Sequence, residues 1–89
     1  MTDKYINSAT FYSVEILVEK NGDTTDIQNY ERINQFDTQE QAEYYILNMC
    51  DKNEVYAIIS SVYTYHEETG TPDEDFNSLK IVKIIEVKE

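Results

Sequence analysis

Alternation with period two is the first regularity along the chain. From Phe11 to Glu19, Tyr12, Val14, Ile16 and Val18 share one parity while Ser13, Glu15 and Glu19 take the other, the pattern of a strand with one buried and one wet face. The run stops at Lys20-Asn21-Gly22-Asp23, where Asn-Gly suits the positive φ angles of a tight hairpin turn. The return segment, Asp26 to Phe36, alternates less cleanly, with Gln28, Tyr30, Arg32, Asn34 and Phe36 against Ile27, Asn29, Glu31 and Ile33. It predicts a second strand.

The period then changes. Asp37-Thr38-Gln39-Glu40 offers an N-cap acceptor with Glu three residues on, a pairing that satisfies orphan backbone donors at a helix start. Ala42, Tyr45, Ile46, Met49 and Cys50 follow at i, i+3, i+4, i+7, i+8 spacing, which is one face of a helix ending near Lys52 or Asn53. Val55 to His66 is rich in β-branched and aromatic residues on both parities and predicts a long strand. Leu79 to Lys88 predicts the last strand, again apolar on both parities near its middle, and residues 67–78 between them read as an acidic loop.

Together these predict an α+β domain of order β-β-α-β-β, with one helix on one face of a four-stranded, mainly antiparallel sheet. One helix cannot cover both faces. The uncovered face is therefore expected to meet a second copy, a partner, or water, and tyrosine, apolar in body and polar at the tip, eases that exposure.

Composition narrows the class. The chain of 89 residues fits one domain spanning 1–89, burying only ~60–65% of the surface its unfolded form exposes. Eighteen acids against seven Lys and Arg leave a formal charge of −11, which favours basic partners and disfavours direct contact with nucleic acid or anionic membrane. Eight Tyr and three Phe, with many Ile and Val, supply the apolar area that disordered acidic chains lack. A single cysteine, Cys50, forms no internal disulfide and suits a reducing compartment. MTDKYINSATFY has no basic stretch leading into an apolar run, and no ~18-residue apolar stretch occurs, so the expected location is cytoplasmic.

Motifs for chemistry are lacking. Neither Asp23-Thr24-Thr25-Asp26 nor Asp73-Glu74-Asp75 has the ligand spacing and central Gly of an EF-hand loop, and one Cys with one His cannot make a zinc site. His66 precedes Glu67 and Glu68, whose charge favours its protonated form. Cys50 falls on or beside the apolar helix face, so it reads as a small core residue and not as a nucleophile. No cofactor, metal or catalytic residue is expected.

What remains is the acidic surface. Residues 53 to 79 hold six acids and no Lys or Arg, and residues 21 to 51 hold seven acids against Arg32 alone. Lys80, Lys83 and Lys88 gather near the chain end. Carboxylates two apart on a strand stand ~6.8 Å apart, and those three or four apart on a helix ~5–6 Å, so a small rigid domain can present a charge row comparable to one nucleic-acid strand. The candidate rows are Glu40 with Glu43, and Glu67, Glu68, Asp73, Glu74 and Asp75. Tyr30, Tyr44, Tyr63 and Tyr65 are the tyrosines expected to be exposed, as anchors beside those rows that can receive Arg on their faces.

With these acids and tyrosines the chain resembles the small acidic inhibitors that phages encode against host defence, including anti-CRISPR proteins and other DNA mimics. The resemblance lies in size, charge and tyrosine content. It implies a stoichiometric inhibitor that occupies the nucleic-acid site of a basic nucleic-acid-binding protein or nuclease complex such as a CRISPR effector, in the host cytoplasm. The alternative is a homodimeric interaction module in which the uncovered sheet face, or the edge strand Leu79 to Val87, pairs with its symmetry mate and the acids only confer solubility.

Overall fold

The computed structural model describes residues 5–66 and 72–88. They form β1 (Tyr5–Leu17), a 3-10 turn (Ile27–Asn29), β2 (Tyr30–Phe36), α1 (Gln39–Met49), β3 (Glu54–His66) and β4 (Pro72–Val87). The four strands make one antiparallel sheet in the order β2-β1-β3-β4. The α+β class and the β-β-α-β-β order expected from the sequence are both present. Principal extents of 55 × 25 × 17 Å reflect the length of β1, β3 and β4.

Several boundaries move, each for a local reason. β1 starts at Tyr5 instead of Phe11, because the small polar run Asn7-Ser8-Ala9-Thr10 is held by pairing with Tyr65 to Val62 of β3. The tight Asn-Gly hairpin is absent; residues 18–29 form a longer loop instead. Gly22 belongs there because its amide donates to the Glu19 carbonyl (2.8 Å) and a Cβ would come within 2.6 Å of the Asn29 side chain. Asp26 ends the loop by accepting from the Gln28 amide, so the segment 27–29 is a 3-10 turn and not the start of the second strand.

The helix cap lies one residue later than expected. Thr38 Oγ1 accepts from the Gln41 amide and Gln41 Oε1 accepts from the Thr38 amide, a reciprocal capping box that leaves Asp37 outside. The helix stops at Met49 with Cys50 as C-cap, short of Lys52, and Asn53 turns the chain into β3 with φ of 66°, a left-handed position that Asn tolerates well. Ala42 and Ile46 are buried beneath α1, with Tyr45 and Cys50 beside them, but Met49 is 69% exposed, pointing past the sheet at the last turn.

Both faces of β3 are apolar, and each face has its own core. On the α1 side, Val14, Ile46, Tyr56, Ile58 and Val87 pack with Tyr12, Phe36 and Ile85. On the other, Leu17, Tyr30, Ala57 and Ile59 pack with Ile27, Leu79 and Ile81. The second face, expected to meet a second copy, a partner or water, is partly covered from within the chain: the 18–29 loop packs Ile27 against it, while Val55, Leu79 and Ile81 stay only partly buried. Tyr30, expected to be exposed, is buried there with its hydroxyl donating to the Thr24 carbonyl.

The sheet curls, and the curl is held by charge. Arg32 on β2 and Glu74 on β4 stand on opposite edge strands, ~14 Å apart across a flat sheet. They are also staggered, since Arg32 lies opposite Glu15 of β1 whereas Glu74 lies opposite Tyr63, whose β1 partner is Ala9. Yet their side chains meet in a bidentate pair at 2.9 and 3.2 Å. Beneath the pair, Ser13, Glu15 and Ser61 are buried, although Ser13 and Glu15 belong to the parity that reads as a wet face. They are satisfied among themselves: Ser61 donates to Glu74 (2.8 Å), Ser13 to Glu15 (2.9 Å), and Arg32 Nε lies 3.6 Å from Glu15. The Phe11 ring lies under the guanidinium at 5.2 Å, a cation–π contact.

Candidate partner-binding surface

The acids divide into those held by the chain's own cations and those left to solvent. Glu74 belongs to the first group: the Arg32 hydrogen bonds hold its carboxyl below the ordinary value, against the opposing effect of burial and with help from Ser61. Glu43 belongs there too, since Lys83 at 2.9 Å, aided by Gln39, lowers its pKa. Glu54 pairs with Lys20. The expected row of Glu40 with Glu43 is therefore broken, because the long-range partner Lys83 takes one of its two members.

Asp73 and Asp75 form the second group. They lie in β4 and not in a loop, opposite Thr64 and Val62, so the pleat puts both on one face and Glu74 on the other. Both are exposed and neither has an ion-pair partner among the described residues. Between Asp75 and Lys80 the β4 chain bulges against β3. Ser78 Oγ accepts from the Val62 amide and donates to the Asp75 carbonyl, and Asp75 Oδ1 accepts from the Asn77 amide, which fixes the bulge.

That bulge presents Phe76, 71% exposed, a residue the sequence reading passed over. Phe76 and Leu79 line an open groove of about 580 Å³ with Ile27, Asp23 and Asp26 of the 18–29 loop. Asp23 accepts from the Thr25 amide and hydroxyl, and these bonds lower its pKa, so it holds its charge. The result is an aromatic side chain that follows Asp75 in the chain and shares its groove with the Asp23 and Asp26 carboxylates. An isolated aromatic inside the acidic run Asp73-Glu74-Asp75-Phe76 was the available signal.

The other expected residues fall elsewhere. Glu40 and the exposed Tyr44 line a second groove with Phe36, Tyr45 and Met49 on the α1 side. Tyr63 is half-buried, its ring 5.3 Å from that of Phe11, and lines a smaller pocket with Phe36, Asp37 and Pro72 where β2 ends. Glu67 and Glu68 lie outside the described residues, as does the side chain of Tyr65. The structure thus brings Asp73 and Asp75 together with Phe76, and separates them from Glu40 and Tyr44.

Burial pushes the Cys50 thiol up, with the Asp51 charge adding to it and a hydrogen bond with Tyr56 opposing it, so the nucleophilic thiolate is disfavoured. Among the described residues no three His, Cys, Asp or Glu side chains gather where a metal ion could be held. No helix there is long and apolar enough to cross a membrane. No protein-family model, curated protein or solved structure matches the chain.

Proposed function

We propose that the protein is a small acidic inhibitor that binds a basic nucleic-acid-binding protein, such as a nuclease or CRISPR effector, in place of its nucleic acid. The observation that carries this reading is the exposed pair Asp73 and Asp75, without ion-pair partners among the described residues, on the strand whose bulge exposes Phe76, which in turn lines a groove with Asp23 and Asp26. Two carboxylates ~6.8 Å apart on one strand face offer an Arg- and Lys-lined cleft a spacing like that of successive phosphates. Phe76 adds the apolar anchor that interfaces concentrate at their centre, and its ring can take a guanidinium on its face. Association is steered by the net charge of −11, so it is fast and falls with salt.

The test is capture of host proteins on the immobilised chain, with a duplex or guide-RNA competitor and with the triple variant Asp73→Lys, Asp75→Lys, Phe76→Ala. A captured nucleic-acid-binding protein should be displaced by the competitor, and raising salt from ~0.1 to ~0.5 M should release it as the screening length shortens. The triple variant should capture at least about tenfold less, the equivalent of ~1.4 kcal/mol, while keeping the wild-type melting profile. Capture indifferent to both the competitor and the charge reversal refutes the reading.

A further inference from the structure

The sheet has three kinds of open edge, and only one lacks charge. β4 is an edge along its whole length, but it carries Asp73, Asp75, Lys80, Lys83 and Glu86 and is broken by the Phe76 bulge, devices that discourage strand addition. β2 is an edge with Glu31 and Arg32 on it. The third edge is half of an inner strand. β2 pairs with β1 only from Tyr12 to Leu17, then turns away through Asp37 into α1, so on that side residues 5–11 of β1, regular from Asn7 to Phe11 with a register shift against β3 between Tyr5 and Asn7, have no strand neighbour among the described residues.

The sequence of this edge is unusual for the chain that carries it. Residues 5–14, Tyr-Ile-Asn-Ser-Ala-Thr-Phe-Tyr-Ser-Val, contain no charged side chain in a protein of net charge −11. The other uncharged run of similar length, residues 55–65, lies on β3, which is paired on both sides. Ser8, Ala9 and Thr10 are exposed, and alternate residues of an unpaired edge direct their N–H and C=O groups outward. A basic partner gains nothing from such a seam. A second copy does, because two chains this acidic can approach closely only where neither presents a carboxylate.

The length of the gap matches its own filling. We propose that residues 5–11 of two copies pair antiparallel about a two-fold axis at Ser8, forming a homodimer with one continuous sheet. Pairing begins opposite residue 11 and cannot extend to residue 12, where β2 of the same chain already lies. The seven-residue slot, roughly 24 Å long, is filled by the same seven residues of the other copy, whose own β2 closes the far end. The contact is isologous, as a closed dimer requires. It also differs from the sheet-face and β4 pairings suggested by hydrophobicity alone, since it uses the uncharged backbone edge of β1.

Sedimentation equilibrium up to about 0.1 mM should show a dimer that strengthens with salt, because screening relieves repulsion between like-charged copies. Partner capture weakens with salt, so the two proposals fail independently. Ser8→Glu and Ser8→Lys each place like charges opposite one another across the axis, and each should weaken the dimer at least about tenfold with unchanged circular dichroism. The lysine variant lowers the net negative charge, so its effect cannot come from bulk repulsion. Directly opposed residues have Cα atoms ~4.5–5.5 Å apart, within disulfide range, so Ser8→Cys in a Cys50→Ala background should oxidise to a covalent dimer. A wild-type chain that is monomeric throughout, or a dimer untouched by both charged variants, overturns the proposal. So does a dimer lost on Tyr44→Glu instead, which would place the interface on the helix.

Discussion

Replacing Arg32 with Met removes the cation from two carboxylates while keeping an apolar stem over Phe11. The side chains of Glu15 and Glu74 are only 9% and 17% exposed, and that of Arg32 31%. Breaking a fully buried pair by deleting one partner costs ~3–5 kcal/mol, whereas an exposed pair is worth ~0–1 kcal/mol. The intermediate burial here places the loss at about 2–4 kcal/mol. Against a total stability of ~4–13 kcal/mol for a chain of this length, that is a large share. With a urea m-value of ~1 kcal/mol/M, the low end for small proteins, the unfolding midpoint should fall by roughly 2–4 M. The triple variant Arg32→Met, Glu15→Gln, Glu74→Gln should recover most of this loss, because an uncharged cluster avoids the desolvated carboxylates. If Arg32→Met loses under about 0.5 kcal/mol, or the triple variant is less stable than the single one, the bridge does not hold the curl.

The same cluster sets a pH dependence. Glu74 has a depressed pKa in the folded state, so its contribution is present above the ordinary glutamate value of 4.5 and is lost as pH falls through the lower folded value; the stability gap between wild type and Glu74→Gln, followed by urea unfolding, should be constant near neutrality and shrink below that pH. At the alkaline end, Tyr56 is pushed up to about 12, chiefly by burial and then by Cys50, Asp51 and Glu54 beside it. Its neutral form therefore stabilises the fold fully below the ordinary value of 10.0, an advantage lost as pH climbs toward about 12. Phenolate absorbance should show a last tyrosine ionising near there, and Tyr56→Phe should abolish that step; ionisation of all eight tyrosines together at ordinary pH would contradict the burial argument.

How much of this was legible in the sequence depended on the range of the interaction. β3 and α1 were plain because their signals are local: β-branched and aromatic residues in one, a 3.6-residue apolar face with a cap in the other. The cap was misplaced by one residue because Asp37 and Thr38 are both good acceptors, and only the reply from Gln41 decides between them. Pro72 to Ser78 read as a loop because its acids hide a strand whose hydrogen bonds are supplied by β3. The acidic rows were the least legible feature. Whether Glu43 is a free charge depends on Lys83, and whether Glu74 is one depends on Arg32, partners about 40 residues away that no local pattern ties to them. Phe76 was missed for the reverse reason: it lies in a run dominated by charge, and its exposure follows from a bulge that no periodicity announces.

The two inner strands are β1 and β3, so the pairing at the middle of the sheet joins segments about forty residues apart in the chain, Val14 meeting Ile58. Nothing in the first fifty residues can complete this arrangement. During synthesis the β1–β2 ribbon and the helix emerge with their central seat vacant, and the contacts that stabilise them arrive only once β3 has left the ribosome. Such distant pairings slow the search for the native state, so truncation before residue 54 should yield a chain without stable structure, and commitment waits for β3.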